Sequence, residues 1–152
     1  MTEWLNWKGR RVLITGHTGF KGSWLCYWLS TLGARVAGYA RNSNTMPSLF
    51  DAAELSSCCE HNVGDVQDLD SLLAVFTRFK PEIVFHLAAQ SLVREGYRNP
   101  IETYSTNLMG TVNILECARR VGGVKGIVVV TSDKCYQNQE WHWGYREDDR
   151  LS

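Results

Sequence analysis

At 152 residues and 17.3 kDa the chain has the length of one ordinary domain, and 44% hydrophobic residues are enough to build a core, which excludes a peptide hormone or a disordered tail. Sixteen Lys plus Arg balance sixteen Asp plus Glu, so no excess charge favours nucleic acid or an anionic membrane surface as a partner. Five cysteines, with Cys58 and Cys59 adjacent and no C-x-x-C spacing, read as reduced, mostly buried thiols of a cytoplasmic protein. Met1-Thr2-Glu3-Trp4 has no basic segment with an apolar run behind it, and no stretch has the length that spans a bilayer, so neither secretion by this route nor a membrane is expected.

Along the chain, short apolar runs alternate with helix-spaced stripes, and there is no internal repeat or linker-like tract. Val12-Leu13-Ile14 is a strand ending at Thr15-Gly16. The following stripe of Phe20, Trp24, Leu25, Trp28, Leu29 and Leu32 predicts a helix with its large side chains on one face. Gly33 suits the left-handed residue after a helix, and Arg35 to Ala40 reads as a second strand. Arg41 to Phe50 is polar, with Asn42, Ser43, Asn44 and Pro47, and is expected to form a loop on the ligand side of a sheet. A short strand approaches Val63. Asp68 is placed to cap a helix striped by Leu69, Leu72, Leu73, Phe76 and Phe79 and stopped by Pro81. Ile83 to Leu87 is a buried type of strand. Asn99-Pro100 opens a long helix striped by Tyr104, Leu108, Val112, Leu115 and Ala118 and closed by Gly122-Gly123. Ile127 to Val130 is a fifth strand, and Gln137 to Asp149 shows no usable period. Strand and helix alternating in this way, with right-handed crossovers, predict the α/β class: a doubly wound parallel sheet, a Rossmann-type dinucleotide-binding domain over residues 1–152.

Gly16-His17-Thr18-Gly19-Phe20-Lys21-Gly22 follows a strand and opens a helix, with spacing G-x-x-G-x-x-G. A turn without side chains lets backbone N–H groups approach a pyrophosphate, and the helix N-terminus adds about half a positive charge there. The competing reading is a tight turn with no ligand. Lys21 stands either near phosphate or along the helix start. Where an acid after the second strand would mark NAD by binding the ribose 2′-hydroxyl, the sequence has Tyr39-Ala40-Arg41, and Arg41 suits a 2′-phosphate or stacking on adenine. NAD and NADP both stand on these residues. In Gly64-Asp65-Val66-Gln67-Asp68, Asp65 suits the adenine amino group and Asp68 a helix cap. Leu87-Ala88-Ala89-Gln90 puts small residues at a strand exit, against which a cofactor can lie or which simply pack. Thr131-Ser132-Asp133-Lys134-Cys135-Tyr136 brings a hydroxyl, a carboxyl and an amine to the same edge, as proton transfer requires, with a surface Asp-Lys pair as the plain alternative. Cys135 reads as packing. His17, His61, His86 and His142 have no spacing suited to a metal, and none is expected.

Together these pieces resemble the N-terminal half of the extended short-chain dehydrogenase/reductase family of nucleotide-sugar enzymes. The shared motifs are the T-G-x-x-G-F-x-G turn, the G-D-x-x-D loop, the H-L-A-A segment, Thr106-Asn107-Leu108-Met109-Gly110-Thr111 and the Ser/Thr after the fifth strand. Gly16 to Trp24, Ala88 to Arg94, Thr131 to Tyr136 and Glu140 to Glu147 are similar to the branch of that family that dehydrates CDP-glucose. The resemblance implies cofactor contacts from Gly16, Thr18, Gly19, Phe20, Lys21 and Gly22 in the turn, from Arg41, Asp65 and Val66, from Leu87, Ala88, Ala89 and Gln90, and from Thr106 and Thr131. NAD is the implied cofactor, with NADP not excluded. Ser91 and Arg94 would touch the nucleotide sugar. Ser132 would hydrogen-bond the C4 oxygen, Asp133 would protonate the departing C6 hydroxyl, and Lys134 would lie beside C5. The resemblance further implies a cytoplasmic homo-oligomer in O-antigen sugar biosynthesis.

One element of that family's pattern is absent. A Tyr-x-x-x-Lys pair is not present, since the residues four places after Tyr27, Tyr39, Tyr97, Tyr104, Tyr136 and Tyr145 are Thr31, Ser43, Ile101, Leu108, Glu140 and Asp149. The chain is therefore expected to be an incomplete cofactor domain, without the tyrosine helix and the sugar-nucleotide domain, and inactive alone. A non-catalytic dinucleotide-binding module and a nucleotide-sugar epimerase are the alternatives. An open apolar fifth strand is expected to favour self-association.

Overall fold

Five parallel strands form one sheet in the order β3-β2-β1-β4-β5. They are β1 (Arg11–Thr15), β2 (Arg35–Ala40), β3 (Glu60–Val63), β4 (Ile83–His86) and β5 (Gly126–Val129). The computed structural model describes residues 6–43 and 45–152, so Met1-Thr2-Glu3-Trp4, Asn44 and the side chain of Asp133 lie outside the described residues. The chain winds outward from β1 through β2 to β3, then crosses back to place β4 on the other side of β1. This reversal puts a crevice at the carboxyl ends of β1 and β4, where open α/β sheets bind their ligands.

Alternation along β1 shows why both faces of the sheet are covered. Leu13 joins a core of Tyr39, Leu72, Phe76, Val84 and Ile114 on one face, and Val12 and Ile14 join Cys26, Leu29 and Val36 on the other. The first core lies under α3 (Leu69–Phe79) and α6 (Gly110–Val121), and the second lies under α1 (Phe20–Thr31). Asp68 caps α3 by accepting the Ser71 N–H at 3.0 Å, and Lys80 in the left-handed region ends it just before Pro81. Gly33, at φ 81°, and Gly122, at φ 70°, follow α1 and α6.

The stripes read for α1 and α6 are not uniform faces: Phe20, Trp24, Trp28 and Leu32 of the first and Tyr104, Leu108, Val112 and Leu115 of the second are exposed, while Leu29 is buried and Leu25 packs on the core. Gly22, Ser23, Cys26 and Leu29 are the buried residues of α1, while Trp24 and Trp28 are exposed. Gly110, Asn113, Ile114 and Cys117 are buried on α6, with Leu108, Val112 and Leu115 exposed. Small residues let these helices approach the sheet closely: a Cβ at Gly110 would stand 2.6 Å from the Val66 side chain. Asn113 is accommodated there because its amide donates to the Val66 carbonyl at 2.9 Å.

Three further differences are local. The stretch read as a polar loop to Phe50 runs at its end into α2 (Leu49–Ala52), whose first turn Ser48 caps. The strand exit after β4 leads into α4 (Val93–Arg98), which no apolar period announces. Asn99 does precede the first turn of α5 (Pro100–Tyr104), but its side chain bonds Glu95 instead of capping, and α5 continues through a π-helical turn, Ser105–Met109, into α6. Cys58 and Cys135 are exposed, so the reading of mostly buried thiols holds for Cys26 and Cys117 only, with Cys59 between the two classes. Cys135 does not pack. No helix among the described residues is long and apolar enough to cross a membrane.

Candidate dinucleotide site

The turn between β1 and α1 is built by backbone interlock. Gly16, at φ 73°, lies so close to the β4 exit that a Cβ would meet the Ala88 N at 2.8 Å. A Cβ at Gly22 would stand 2.1 Å from the Gly16 carbonyl oxygen. Gly19 differs from both. Its φ is −76°, and a Cβ there would meet only the Gly16 oxygen at 3.3 Å, so its side-chain space opens onto the cleft. Gly19 is also the N-cap of α1 and supplies no capping side chain. Helix α3 has Asp68 over its first amides, whereas the first-turn N–H groups of α1 are left to a ligand or water.

Two adjoining clefts run along this edge of the sheet. The first, about 420 Å³, takes Gly16, Thr18, Gly19 and Phe20 from the turn, Arg41 after β2, Asp65 and Val66 after β3, Leu87 after β4, and Thr106. The second, about 720 Å³, takes Lys21, Gln90, Thr131 and Ser132, and shares Ala88, Ala89 and Ser91 with the first. Gly22 is buried beneath the turn and reaches neither. Arg94 and Lys134 are exposed and line neither cleft. The Lys134 N–H donates to Ser132 Oγ at 3.1 Å, in a short 3-10 turn over Asp133–Cys135. Lys21 therefore stands on the side of Ser132 and not on that of Arg41.

Polar side chains pin the walls of the first cleft. The Thr18 hydroxyl donates to the Arg41 carbonyl at 2.9 Å, tying the glycine turn to the end of β2. Tyr39 donates to the Asp65 carbonyl at 3.0 Å, and burial of its phenol raises its pKa to about 12. The Arg41 guanidinium stands 3.6 Å from the Asp65 carboxylate and 3.4 Å from that of Glu102. Gln67 joins Glu102 at 3.1 Å and Thr106 at 3.0 Å, closing the rim.

The wall between the clefts has its own support. Asn107 brackets Gln90, accepting its N–H at 2.8 Å and donating to its carbonyl at 2.9 Å. Behind it, His86 Nδ1 and Thr15 Oγ1 are 2.6 Å apart, and His86 Nε2 reaches Thr111 Oγ1 at 3.1 Å. Burial lowers the pKa of His86.

Some contributors escape a reading of motifs. His17 is completely buried, with Nε2 2.7 Å from Nδ1 of His61, and its ring fills the space a Cβ at Gly38 would need. Burial first, and the adjacent His61 second, bring the His17 pKa down to about 4. Glu102 is the other: only the fold brings it to Arg41.

Against known proteins, the family model described as GDP-mannose 4,6 dehydratase matches residues 13–151. The chain is 57% identical over 145 residues to a CDP-glucose 4,6-dehydratase from Salmonella typhimurium, covering 95% of this chain and 40% of that protein. It is 37% identical over 122 residues to a UDP-glucose 4-epimerase from Mycolicibacterium smegmatis, covering 80% of this chain and 38% of that protein. A solved UDP-glucose-4-epimerase from Stenotrophomonas maltophila, with bound NAD and formylated UDP-arabinopyranose, superposes with a TM-score of 0.82 at 23% identity, over 94% of this chain and 43% of that one. The chain thus spans about 40% of the length of these two curated relatives.

Proposed function

As the chain belongs to the GDP-mannose 4,6-dehydratase family, we propose that it is the dinucleotide-binding part of an enzyme that converts CDP-glucose to CDP-4-dehydro-6-deoxyglucose, with NAD as resident cofactor. The observation that carries this reading is the 57% identity to a CDP-glucose 4,6-dehydratase over nearly the whole chain. The cleft fits the cofactor: the uncapped α1 N-terminus suits a diphosphate, and Gly19 leaves room for it. When bound, NAD would supply reversible hydride transfer between the sugar C4 and C6, with loss of water as the net change.

The residues of this chain would do the rest by placement and proton transfer. Asp65 and Arg41 hold the adenosine end, while Ala88 and Ala89 let the cofactor lie against the β4 exit. Ser132, on the second cleft, hydrogen-bonds the C4 oxygen. Asp133 gives a proton to the departing C6 hydroxyl, and Lys134 stands beside C5. Ser91 and Arg94 serve the nucleotide sugar, and the active form is a cytoplasmic homo-oligomer. Without a Tyr-x-x-x-Lys pair in its sequence, this chain lacks the family's phenol for the C4 hydroxyl proton and is expected to be inactive alone. A longer form containing these residues should consume CDP-glucose and yield a product lighter by one water, followed by mass spectrometry. No consumption of CDP-glucose would refute the substrate.

The preference for NAD over NADP follows from the charges around Arg41. Its guanidinium already has two carboxylate partners, Asp65 and Glu102, so a ribose 2′-phosphate would bring negative charge toward both. All three groups are partly exposed, which limits the effect. NAD⁺ is expected to bind about tenfold more tightly than NADP⁺, or ~1.4 kcal/mol. Calorimetric titration of both nucleotides checks this, and Glu102→Gln should narrow the gap; equal affinity in the unaltered chain would contradict it.

A further inference from the structure

Three of the five cysteines lie where α1 passes the entry to β3, away from both clefts. Cys26 lies on the sheet-facing side of α1 with no exposed surface. Cys59, half-buried immediately before β3, packs on the same cluster of Val12, Ile14, Cys26, Leu29 and Val36. Cys59 can donate to the Leu55 carbonyl at 3.3 Å, and Ser30, one turn on from Cys26, holds the adjoining Cys58 carbonyl. Cys58 is different. It is exposed, its sulfur lies 3.6 Å from Ser57 Oγ, and its carbonyl accepts from the Ser30 hydroxyl of α1 at 3.2 Å.

We propose that Cys26 and Cys59 form a reversible disulfide site, oxidised by a small-molecule disulfide that enters through Cys59. Cys59 has surface that a small disulfide can reach and Cys26 has none, and in the same sense the pKa of Cys59 is lowered beside Cys26 while that of Cys26 is raised. Cys59 is therefore the attacking sulfur and Cys26 the resolving one. In the first step the Cys59 thiolate forms a bond to one sulfur of the small disulfide, and the other sulfur leaves as a thiolate that takes up a proton. In the second, Cys26 loses its proton to solvent and attacks the Cys59 sulfur, and the remaining small thiolate departs. Two protein thiols and one small disulfide become one protein disulfide and two small thiols, so two electrons pass from the protein to the oxidant. The bond would join α1, whose N-terminus faces the first cleft, to β3, whose exit carries Asp65 into that cleft. The link is independent of which nucleotide sugar the enzyme uses.

Incubating the chain with glutathione and glutathione disulfide, quenching with acid, alkylating and mapping peptides by mass spectrometry tests this. The titre of free thiols should fall, and a peptide containing Cys26 should be joined to the one containing Cys58 and Cys59. Dithiothreitol should reverse the link. Cys58→Ser should leave it intact and Cys59→Ser should abolish it, with Cys26 recovered as a free thiol. Cys26→Ser should trap Cys59 as a stable mixed disulfide with glutathione, a species that a purely structural role does not produce. Recovery of Cys26 as a free thiol in the unaltered chain at every redox ratio would overturn the proposal, as would a link that persists in Cys59→Ser. If a variant fails to fold, the map of the unaltered chain still decides whether Cys26 is joined.

Discussion

Gly22→Ala is expected to unfold the nucleotide-binding corner, whereas Gly19→Ala should leave the fold almost unchanged and lose the nucleotide. The contrast comes from what each new methyl group meets. At position 22 the obstacles are backbone atoms, the Gly16 carbonyl oxygen at 2.1 Å and the His17 Cα at 2.7 Å, and neither can rotate away. The turn and α1 would have to separate, at a cost of about 3 kcal/mol, a large share of the stability of an ordinary domain. At position 19 the backbone is one that alanine adopts readily, and the single contact, at 3.3 Å, requires a shift of only a few tenths of an ångström. The smaller entropy of the unfolded alanine chain offsets that strain, by about 0.4–1 kcal/mol. The methyl group then stands in the first cleft, between the α1 amides and a diphosphate. Thermal unfolding should show a large fall in midpoint for Gly22→Ala and little change for Gly19→Ala, while calorimetry shows NAD⁺ affinity lost in both. Normal NAD⁺ binding by Gly19→Ala would mean that the turn is a packing device only.

Acid should weaken the same corner through His17. Its imidazole is buried between Gly38, Phe50 and His61, with the Phe50 ring centroid 5.1 Å from its own. A proton on this ring meets a desolvated site and a second imidazole. The folded pKa is about 4 against 6.5 for the free side chain, so the unfolded chain takes up the proton first as pH falls. Stability from this group is therefore fully present above about pH 6.5 and declines as pH drops toward 4, by about 3 kcal/mol in all. His86, whose pKa is lowered by burial, acts in the same direction. Denaturant unfolding at a series of pH values should show a plateau near neutrality and a fall across that window. Because His17 is part of the turn itself, NAD⁺ affinity should fall with it. A flat profile between pH 7 and 4 would show that His17 takes a proton without disturbing its surroundings.

The sheet and the glycine turn were readable because each is encoded locally. β1, β2, β4 and β5 are short apolar runs, and the strand-turn-helix order around Gly16 to Gly22 needs no distant partner. Asp68 as the cap of α3 is local in the same way. The stripes of α1 and α6 do not tell which side is buried, because apolar residues occupy both sides of those helices. Size, more than hydrophobicity, decides which side meets the sheet: Gly22, Ser23 and Cys26 go in, and Trp24 and Trp28 stay out. Helices as short as α2 and α4 do not complete enough turns to show a period. The pairing of Arg41 with Glu102 and of His17 with His61 joins residues far apart in the chain, and only the crossovers of the sheet bring them together.

The amides between β1 and α1 are expected to receive the dinucleotide diphosphate. Titrating NAD⁺ into the isotope-labelled chain while following its backbone amide resonances tests this most directly. Gly19, Phe20 and Lys21 should shift and saturate together, while Gly123, beyond the far end of α6, stays in place. Saturating NAD⁺ that leaves those three resonances unmoved would contradict it.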